Sequence, residues 1–412
     1  MIVVGVDGAN PETVLDPARR GSLANLGSVL ADGIGGPLRS RTTSSAAAWT
    51  SHLTGTGPKD SGITGFTIDN RFVRTTDIAV QTYPELLDEA GLRVGLINVP
   101  LTYPPLELAN GFCVPGQLTP LDEDEYTHPP AVQDVLDDFD YEVDIQYGER
   151  QYAFVDDELD ISREEIREDV IRVERKRLAA TRRLLAEREW DLFFVLVNGT
   201  DPLQHYYWHE IVDTKLEDTS MFEVYELIDA FVGDIREEYP NEDVLLFSDH
   251  GFREDVWGSD ATTRECWRRI RGFGSRLLPE SLKQTRLRQY GMDLLARSAK
   301  ATTTTDDENR HTGAHDPEGV WLFGGPSVSG EDEPEAADFL DLPATILHVM
   351  GQSVPEAYEG VVRTDVLTAS DEPRREDVDL SVRRRERVDA DMDTQLAHLG
   401  YVEMVEPDET DT

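Results

Sequence analysis

The amino-acid sequence predicts an α/β fold of a largely parallel central sheet, with helices on both faces and an inserted cap region. The first observation is a set of short, continuous apolar runs, which are typical of strands buried on both faces. These runs are Ile2–Val6, Arg93–Asn98, Leu192–Val197 and Val244–Phe247, followed later by Val320–Phe323. The second observation is that apolar residues at helical spacing lie between the runs. This alternation of strands and helices indicates an α/β sheet.

Two of the predicted helices carry clear sequence signals. Ser162 is followed three residues later by Glu165, which is the pattern of a capping box at a helix start. Apolar residues at helical spacing then continue from Ile166 to Leu185. A second helical pattern runs from Phe222 to Ile235, shortly before one of the apolar runs. We expect both helices to pack on the faces of the sheet.

The remaining sequence predicts one domain with two irregular regions. We expect residues 1–402 to form this domain and residues 403–412 to form an acidic tail. The Pro-rich, acidic region 101–160 predicts an inserted cap, and the weakly patterned region 252–318 predicts variable loops. Within the second region, the tract Thr302–Glu308 is expected to be a mobile loop.

The charge of the chain excludes some classes of partner. Its 412 residues include 82 Asp and Glu against 39 Lys and Arg, which gives a formal net charge of −43. This charge argues against a nucleic-acid binder and against binding to an anionic membrane. Because 39% of the residues are hydrophobic, a folded chain is favoured over a disordered one. The acidic, lysine-poor composition is typical of a halophilic protein, which we expect to unfold or lose activity in dilute buffer.

The cysteines and the apolar segments bear on the cellular compartment. Cys113 and Cys266 are too few for a disulfide framework or a cysteine-based metal cluster. The first apolar run has no basic leader before it, and no apolar stretch is long enough to cross a membrane. We therefore expect a cytoplasmic protein without a membrane partner, whereas the oligomeric state stays open.

Polar clusters lie at the ends of the predicted strands, where ligands bind in α/β enzymes. The clusters are Asp7 after the first run, Asp201 and His205 after Leu192–Val197, Asp249 and His250 after Val244–Phe247, and His311 and His315 before Val320–Phe323. Asp201 and His205 are four residues apart, so on a helix they share one face and can bind one ion. Each residue alone could be a helix cap or a surface residue. Four clusters at strand ends favour a shared site.

A run of hydroxyl residues completes the set of candidates. The segment Arg41–Gly55 has hydroxyl side chains followed by small residues, which suits a helix start. Free backbone N–H groups and the helix dipole at such a start favour an anion. A serine there is either a nucleophile or an N-cap, and these residues alone favour the N-cap.

Taken in order, these motifs resemble the alkaline phosphatase superfamily, and within it the type I phosphodiesterase/nucleotide pyrophosphatase-like family. The resemblance rests on Val6–Ala9, Ser45–Gly55, Asp201–Trp208, Ser248–Phe252 and His315 ahead of Gly319–Trp321. Further matches lie at Ile97–Pro105, Gly111–Pro120, Asp341–Leu347 and His398–Tyr401. The likeness therefore extends from residue 1 to about residue 402 and implies an alkaline-phosphatase-like catalytic domain.

The resemblance implies a site with two divalent metal ions that hydrolyses a small-molecule phosphate ester. One ion would be bound by Asp201, His205 and His315, and the other by Asp7, Asp249, His250 and the oxygen of Ser45. This mixture of nitrogen and oxygen ligands suits zinc or manganese. The nucleophile would be Ser45 rather than Ser44, and His311 is the alternative to His315. A phospho-Ser45 intermediate is implied, with a diester favoured over a monoester as substrate.

Two departures from the family pattern limit what the resemblance implies about the substrate. Ser61 stands before Gly62 where a histidine is common, and Phe66 stands where nucleotide pyrophosphatases have a phosphate-contacting asparagine. Both weaken the expectation of nucleotide pyrophosphatase activity. The sulfatase nucleophile motif is absent from the segment that begins at Ser45. The alternatives are a phosphate mutase or a phosphonate hydrolase of the same superfamily and, in another class, a non-catalytic metal- or phosphate-binding protein.

Overall fold

The fold is taken from a computed structural model of the chain. The described residues are 1–255, apart from 70, 121, 122, 124, 145, 148, 149 and 152–160, together with 311–329, 336–368 and 372–382. The tract Thr302–Glu308, the predicted acidic tail and Cys266 lie outside the described residues. The division into one domain with a cap and variable loops therefore stays a prediction.

An eight-stranded sheet forms the centre of the described structure. Its strands are β1 (Ile2–Val6), β2 (Gly33–Arg39), β5 (Val94–Val99), β6 (Phe112–Pro115), β9 (Leu192–Val197), β10 (Val244–Phe247), β13 (Glu318–Gly324) and β14 (Ala337–Asp338). Their order across the sheet is β14-β2-β13-β10-β1-β9-β5-β6. Neighbouring strands from β10 to β6 are parallel, whereas β13 is antiparallel to both β10 and β2. The predicted α/β architecture with a largely parallel sheet is confirmed.

Within the described ranges, four two-stranded sheets accompany the central one. They pair β3 (Thr67–Ile68) with β4 (Arg71–Phe72), β7 (Gln146–Tyr147) with β8 (Arg150–Gln151), β11 (Gly251–Glu254) with β12 (Gly313–Asp316), and β15 (Val354–Pro355) with β16 (Arg375–Glu376). The described α-helices are α1 (Leu15–Arg20), α2 (Ala24–Ala31), α3 (Ser45–Thr54), α4 (Pro58–Ser61), α5 (Tyr83–Glu89), α6 (Gln133–Asp137), α7 (Arg163–Glu187), α8 (Thr200–Asp213), α9 (Phe222–Glu238) and α10 (Asp341–Val349).

Two hydrophobic cores cover the two faces of the sheet. Along β1, Ile2 and Val4 belong to one core, and Val3 between them belongs to the other. The first core includes residues of α1, α2, α7 and α9, and the second includes residues of α3, α5 and α10. Alternate side chains of a strand point to opposite faces, so burial on both sides produces a continuous apolar run. This is why β1, β9 and β10 have the bounds that the sequence predicts.

The structure also departs from a simple reading of the apolar runs. Val320–Phe323 lies in β13, the strand that runs against its neighbours, and burial on both faces gives an apolar run in either direction. Strand β2 was not predicted, because Gly and Pro make up more than half of its sequence. Strand β6 lies within the predicted insert at 101–160 but forms an edge of the central sheet. Among the described residues, no helix is long and apolar enough to cross a membrane.

One buried histidine makes the stability of this fold depend on pH. His52 in α3 is buried among aromatic rings, with its ring centroid 4.4 Å from that of Phe247 and 5.4 Å from that of Tyr83. Burial lowers the pKa of His52 from 6.5 to about 3. The unfolded chain therefore takes up a proton near pH 6.5, whereas the folded chain takes it up only near pH 3. Stability is expected to fall by about 1.4 kcal/mol per pH unit as the pH drops between these values.

The substitution His52→Phe isolates this contribution. Denaturant unfolding at pH 7 and pH 5 should show that the loss of unfolding free energy between the two pH values is about 2 kcal/mol smaller in the variant than in the wild type. An identical pH dependence in the two proteins would show that His52 is protonated in the folded state.

Candidate active site

The predicted site residues meet beyond the carboxyl ends of three neighbouring strands. Asp7 follows β1, Asp249 follows β10, and Asp201 lies in the first turn of α8, which begins three residues after β9 ends. Strand β1 lies between β10 and β9 in the sheet. Parallel strands end at the same edge, so the sheet itself brings the three carboxylates together.

Asp7 contacts helix α3, which begins within the run of hydroxyl residues. Trp49 Nε1 donates a hydrogen bond to Asp7 Oδ2 at 3.3 Å. Asp7 Oδ1 is buried without a hydrogen-bond partner among the described residues. Gly5 allows the close approach of Trp49, because a Cβ at this position would lie 2.9 Å from the indole ring. Helix α3 is therefore fixed against β1.

Ser45 is the first residue of α3, and Ser44 is its N-cap. Ser45 Oγ lies 3.1 Å from His250 Nε2 in the buried part of the site. The residues alone favoured a serine that caps the helix. Ser44 occupies the N-cap position, but its side chain makes no capping hydrogen bond. The structure brings Ser45, and not Ser44, against the cluster.

Asp249 and His250 form a tight turn after β10. The backbone N–H of Gly8 donates to Asp249 Oδ1 at 3.2 Å, and Asp249 Oδ2 is buried without a hydrogen-bond partner among the described residues. His250 Nε2 lies 3.4 Å from Asp249 Oδ2 and 3.5 Å from Asp7 Oδ1. Gly8 has a φ of +73°, and a Cβ there would lie 2.6 Å from the Phe252 ring. Only glycine fits at position 8, in the turn that follows β1.

The second part of the cluster comes from α8 and from the β11–β12 pair. Asp201 and His205 lie one helical turn apart, with Asp201 Oδ2 3.6 Å from His205 Nε2. His315 pairs with Phe252 across the β11–β12 ladder, which places it beside His250. His315 Nε2 lies 3.1 Å from Asp201 Oδ1 and 3.0 Å from His205 Nε2. His311 lies next to this group, with its ring centroid 5.0 Å from that of His205.

The imidazoles of His205, His250 and His315 are held in the same way, through their Nδ1 atoms. Each Nδ1 faces a backbone carbonyl oxygen: His205 that of Gly313 at 3.3 Å, His250 that of Gly251 at 3.2 Å, and His315 that of Thr43 at 2.8 Å. A carbonyl oxygen only accepts hydrogen bonds, so each Nδ1 carries a proton and a neutral ring presents its lone pair at Nε2. The Nε2 atoms of His205 and His315 are 3.0 Å apart, so either a shared proton or a metal ion would relieve the repulsion between these lone pairs.

This donor set fits divalent metal ions. In each of two groups, the potential ligand atoms lie within 4.8 Å of one another. One group is Asp7, Asp249 and His250, and the other is Asp201, His250 and His315. His250 belongs to both groups, and His205 adds its Nε2 beside the second. The carboxylate oxygens without partners and the inward lone pairs are the atoms that metal ions would satisfy. Nitrogen and oxygen donors together suit zinc or manganese.

The pKa values of the cluster reflect its burial and its negative charge. Burial, followed by the negative charges of Asp249 and Asp201, raises the pKa of Asp7 well above its ordinary value. Burial lowers the pKa values of His205 and His250. Although burial opposes it, Asp201 raises the pKa of His315 to about 9. Buried carboxylates this close together keep their charge only when positive charge lies among them.

A cleft opens from this cluster with a cavity volume of about 210 Å³. The predicted residues that line it are Asp7, Ser45, Asp201, His205, His311 and His315. Phe66, which replaces the family's asparagine, also lines it. Sequence reasoning missed Glu174, Arg177 and Asn198 in its wall. The available signal was in α7, where two charged residues three apart interrupt the buried stripe that includes Val173 and Leu178.

Comparisons with known proteins agree with this geometry. The family model described as type I phosphodiesterase/nucleotide pyrophosphatase matches residues 1–262. The solved alkaline phosphatase PafA is 11% identical with a TM-score of 0.52, over 89% of this chain and 98% of that chain, and this likeness shows the fold. Murine ectonucleotide pyrophosphatase/phosphodiesterase 5 is 12% identical with a TM-score of 0.49, over 89% of this chain and 100% of that chain.

Phosphonoacetate hydrolase from Sinorhizobium meliloti 1021 is 17% identical with a TM-score of 0.45, over 63% of this chain and 57% of that chain. No curated protein matches the chain. The match of the family model extends over more than half of the chain and includes Asp7, Ser45, Asp201 and the Asp249-His250 pair. The chain belongs to the type I phosphodiesterase/nucleotide pyrophosphatase family.

Proposed function

We propose that this chain hydrolyses small-molecule phosphodiesters, with Ser45 as the nucleophile at a site for two divalent metal ions. The family supports hydrolysis by phosphoryl transfer in general terms. The observation that carries the specific proposal is the position of Ser45 Oγ, 3.1 Å from His250 Nε2 and beside a partly buried group of three carboxylates and three imidazoles. A hydroxyl group in this position can be activated without a separate base.

Two sets of residues would hold the ions. Asp201, His205 and His315 would bind one, and Asp7, Asp249, His250 and Ser45 Oγ the other, with zinc or manganese suited to both sets. Divalent ions in this position supply positive charge that favours the ionised serine hydroxyl and offsets the negative charge of the phosphoryl group.

The chain's own residues would carry out the displacement in two steps. Ser45 Oγ attacks phosphorus, so the bond from Oγ to phosphorus forms as one P–O ester bond breaks, and the leaving alcohol takes up the proton that Ser45 loses. The second ester group stays on phosphorus. Water then breaks the bond between Ser45 Oγ and phosphorus, which releases a phosphate monoester and returns a proton to Ser45. The N–H groups at the start of α3 would bind the phosphoryl oxygens, because the dipole of this helix favours negative charge at that end.

The charges in the cleft favour a diester over a monoester. Outside the proposed ligand sets, the described residues that line the cleft include the acidic Asp144 and Glu174, and Arg177 is the one Lys or Arg residue among them. A monoester carries up to two negative charges near neutral pH and a diester carries one. The diester therefore experiences less repulsion from these carboxylates.

A matched pair of substrates tests the proposal. In multimolar salt with zinc or manganese, kcat/KM for bis(p-nitrophenyl) phosphate should exceed that for p-nitrophenyl phosphate by at least about tenfold, or about 1.4 kcal/mol. High salt is used because the formal charge of −43 is then screened. A higher kcat/KM for the monoester would contradict the proposal of a phosphodiesterase and favour a phosphomonoesterase.

A further inference from the structure

Helix α7 contains a buried ion pair on the face where its other buried residues are mostly apolar. Glu174 is 1% exposed and Arg177 is 4% exposed, and both lie among buried apolar side chains such as Val173 and Leu178. Taking two charges out of water costs more than their attraction commonly returns, so such a pair is weak evidence for a role in stability. Both residues line the cleft that also contains Ser45.

The contacts of Arg177 hold its guanidinium in one orientation. Nε donates to the carbonyl oxygen of Glu142 at 2.8 Å, and Nη1 donates to Glu174 Oε1 at 3.0 Å. Further hydrogen bonds go to Asn198 Oδ1 and to the carbonyl oxygen of Val143. Most of the donors of Arg177 are thus used within the protein, so its role is to position Glu174 and Asn198.

Glu174 has one carboxylate oxygen that the protein satisfies and one that it does not. Oε1 accepts from Arg177 and from the backbone N–H of Gly199 at 2.9 Å. Oε2 is buried and accepts no hydrogen bond of good geometry from the described residues, with the backbone N–H of Asn198 as the further donor near this carboxylate. Gly199 has no side chain to displace this carboxylate, since a Cβ there would lie 2.7 Å from Glu174 Cγ. A buried acceptor without a donor is costly, and a ligand that donates a hydrogen bond would remove the cost.

Given the function proposed above, we propose that Glu174 Oε2 accepts a hydrogen bond from a hydroxyl group on the substrate, so that the cleft selects phosphodiesters of hydroxylated alcohols. An anionic group would be repelled by Glu174 and by the buried Asp144. An ammonium group would lose its hydration close to the Arg177 guanidinium, which lies 3.0 Å from Glu174. A neutral hydroxyl donor meets neither penalty.

Two esters with the same reacting bond test this inference. They are 2,3-dihydroxypropyl p-nitrophenyl phosphate and propyl p-nitrophenyl phosphate, which differ only in hydroxyl groups. In the wild type, kcat/KM for the dihydroxypropyl ester should be at least about tenfold higher. The substitution Glu174→Gln keeps an oxygen for Gly199 and Arg177 but can replace the free acceptor with a donor. This variant should bring the two esters within about threefold of each other, with little change for the propyl ester.

Glu168→Gln is the matched control, because Glu168 lies in the same helix with its side chain exposed, and it should preserve the wild-type ratio. Equal turnover of the two esters by the wild type, or a ratio unchanged by Glu174→Gln, would overturn the inference. A preference for the 2-aminoethyl ester over the dihydroxypropyl ester would overturn the choice of a hydroxyl donor. If Glu174→Gln does not fold, the wild-type ratio decides. Absence of turnover with either ester would instead overturn the proposed function on which the inference rests.

Discussion

Replacement of Ser45 by alanine is expected to lower kcat for bis(p-nitrophenyl) phosphate by about 10³-fold or more. The variant loses the oxygen that would attack phosphorus. Ser45 is followed in α3 by the small buried residues Ala46, Ala47 and Ala48, so the fold should tolerate alanine at position 45. Steady-state turnover in high salt measures the effect, and circular dichroism confirms that the variant is folded.

Ser44→Ala is the matched control for this experiment. Ser44 is the N-cap of α3, but its side chain makes no capping hydrogen bond, so activity should stay within about threefold of the wild type. Acid-quenched samples of the wild type should contain phosphate bound to protein, and those of Ser45→Ala should not. More than about a tenth of wild-type activity in Ser45→Ala would rule out attack by this residue.

Removal of divalent ions is expected to lower turnover by at least about 10³-fold, because the cluster then lacks the positive charge that its carboxylates require. Adding zinc or manganese should restore it, and titration calorimetry on the chelated protein should show two ions bound per chain. Binding should also raise the midpoint of thermal unfolding, because the ions would bind only the folded site. Full turnover by protein that contains no measurable metal would contradict the two-ion proposal.

Asp201→Asn distinguishes the two ion sites. Asp201 lies beside His205 and His315, so its loss should weaken one of the two binding events and leave the other. His209→Gln is the control on the same helix, because His209 is exposed and lies one turn beyond His205, with a contact to Thr312. This control should still bind two ions. Equal weakening of both events in Asp201→Asn would show that the ions share their ligands more closely than proposed.

Much of the fold follows from local sequence signals. The bounds of β1, β9 and β10 agree with the apolar runs, and α7 begins at the predicted capping box, where Ser162 accepts a hydrogen bond from the N–H of Glu165. These signals are local, because strand burial and helix capping depend on residues within a few positions of one another. Strand β2 gave no such signal. Its place in the sheet comes from pairing with β13, which is about 280 residues away in the sequence.

The candidate residues are likewise readable as motifs, but two choices among them depend on tertiary contacts. Ser44 and Ser45 are adjacent hydroxyl residues, and the start of α3 directs Ser45 toward His250. His311 and His315 both precede β13, and the register of β11 with β12 places His315 opposite Phe252 and beside His250. A sequence pattern does not contain this register, because it arises from pairing between segments about 60 residues apart.

The sequence by itself determined the α/β class, the strands that end in carboxylates and the family, because burial periodicity and contiguous motifs are properties of short segments. The tertiary structure decided how those segments meet. It oriented the three imidazoles through backbone carbonyl groups, and it placed Glu174 and Arg177 of α7 in the wall of the cleft. The −43 charge is a property of the whole sequence, but the buried carboxylates that call for metal ions come together only when the parallel strands end at one edge of the sheet.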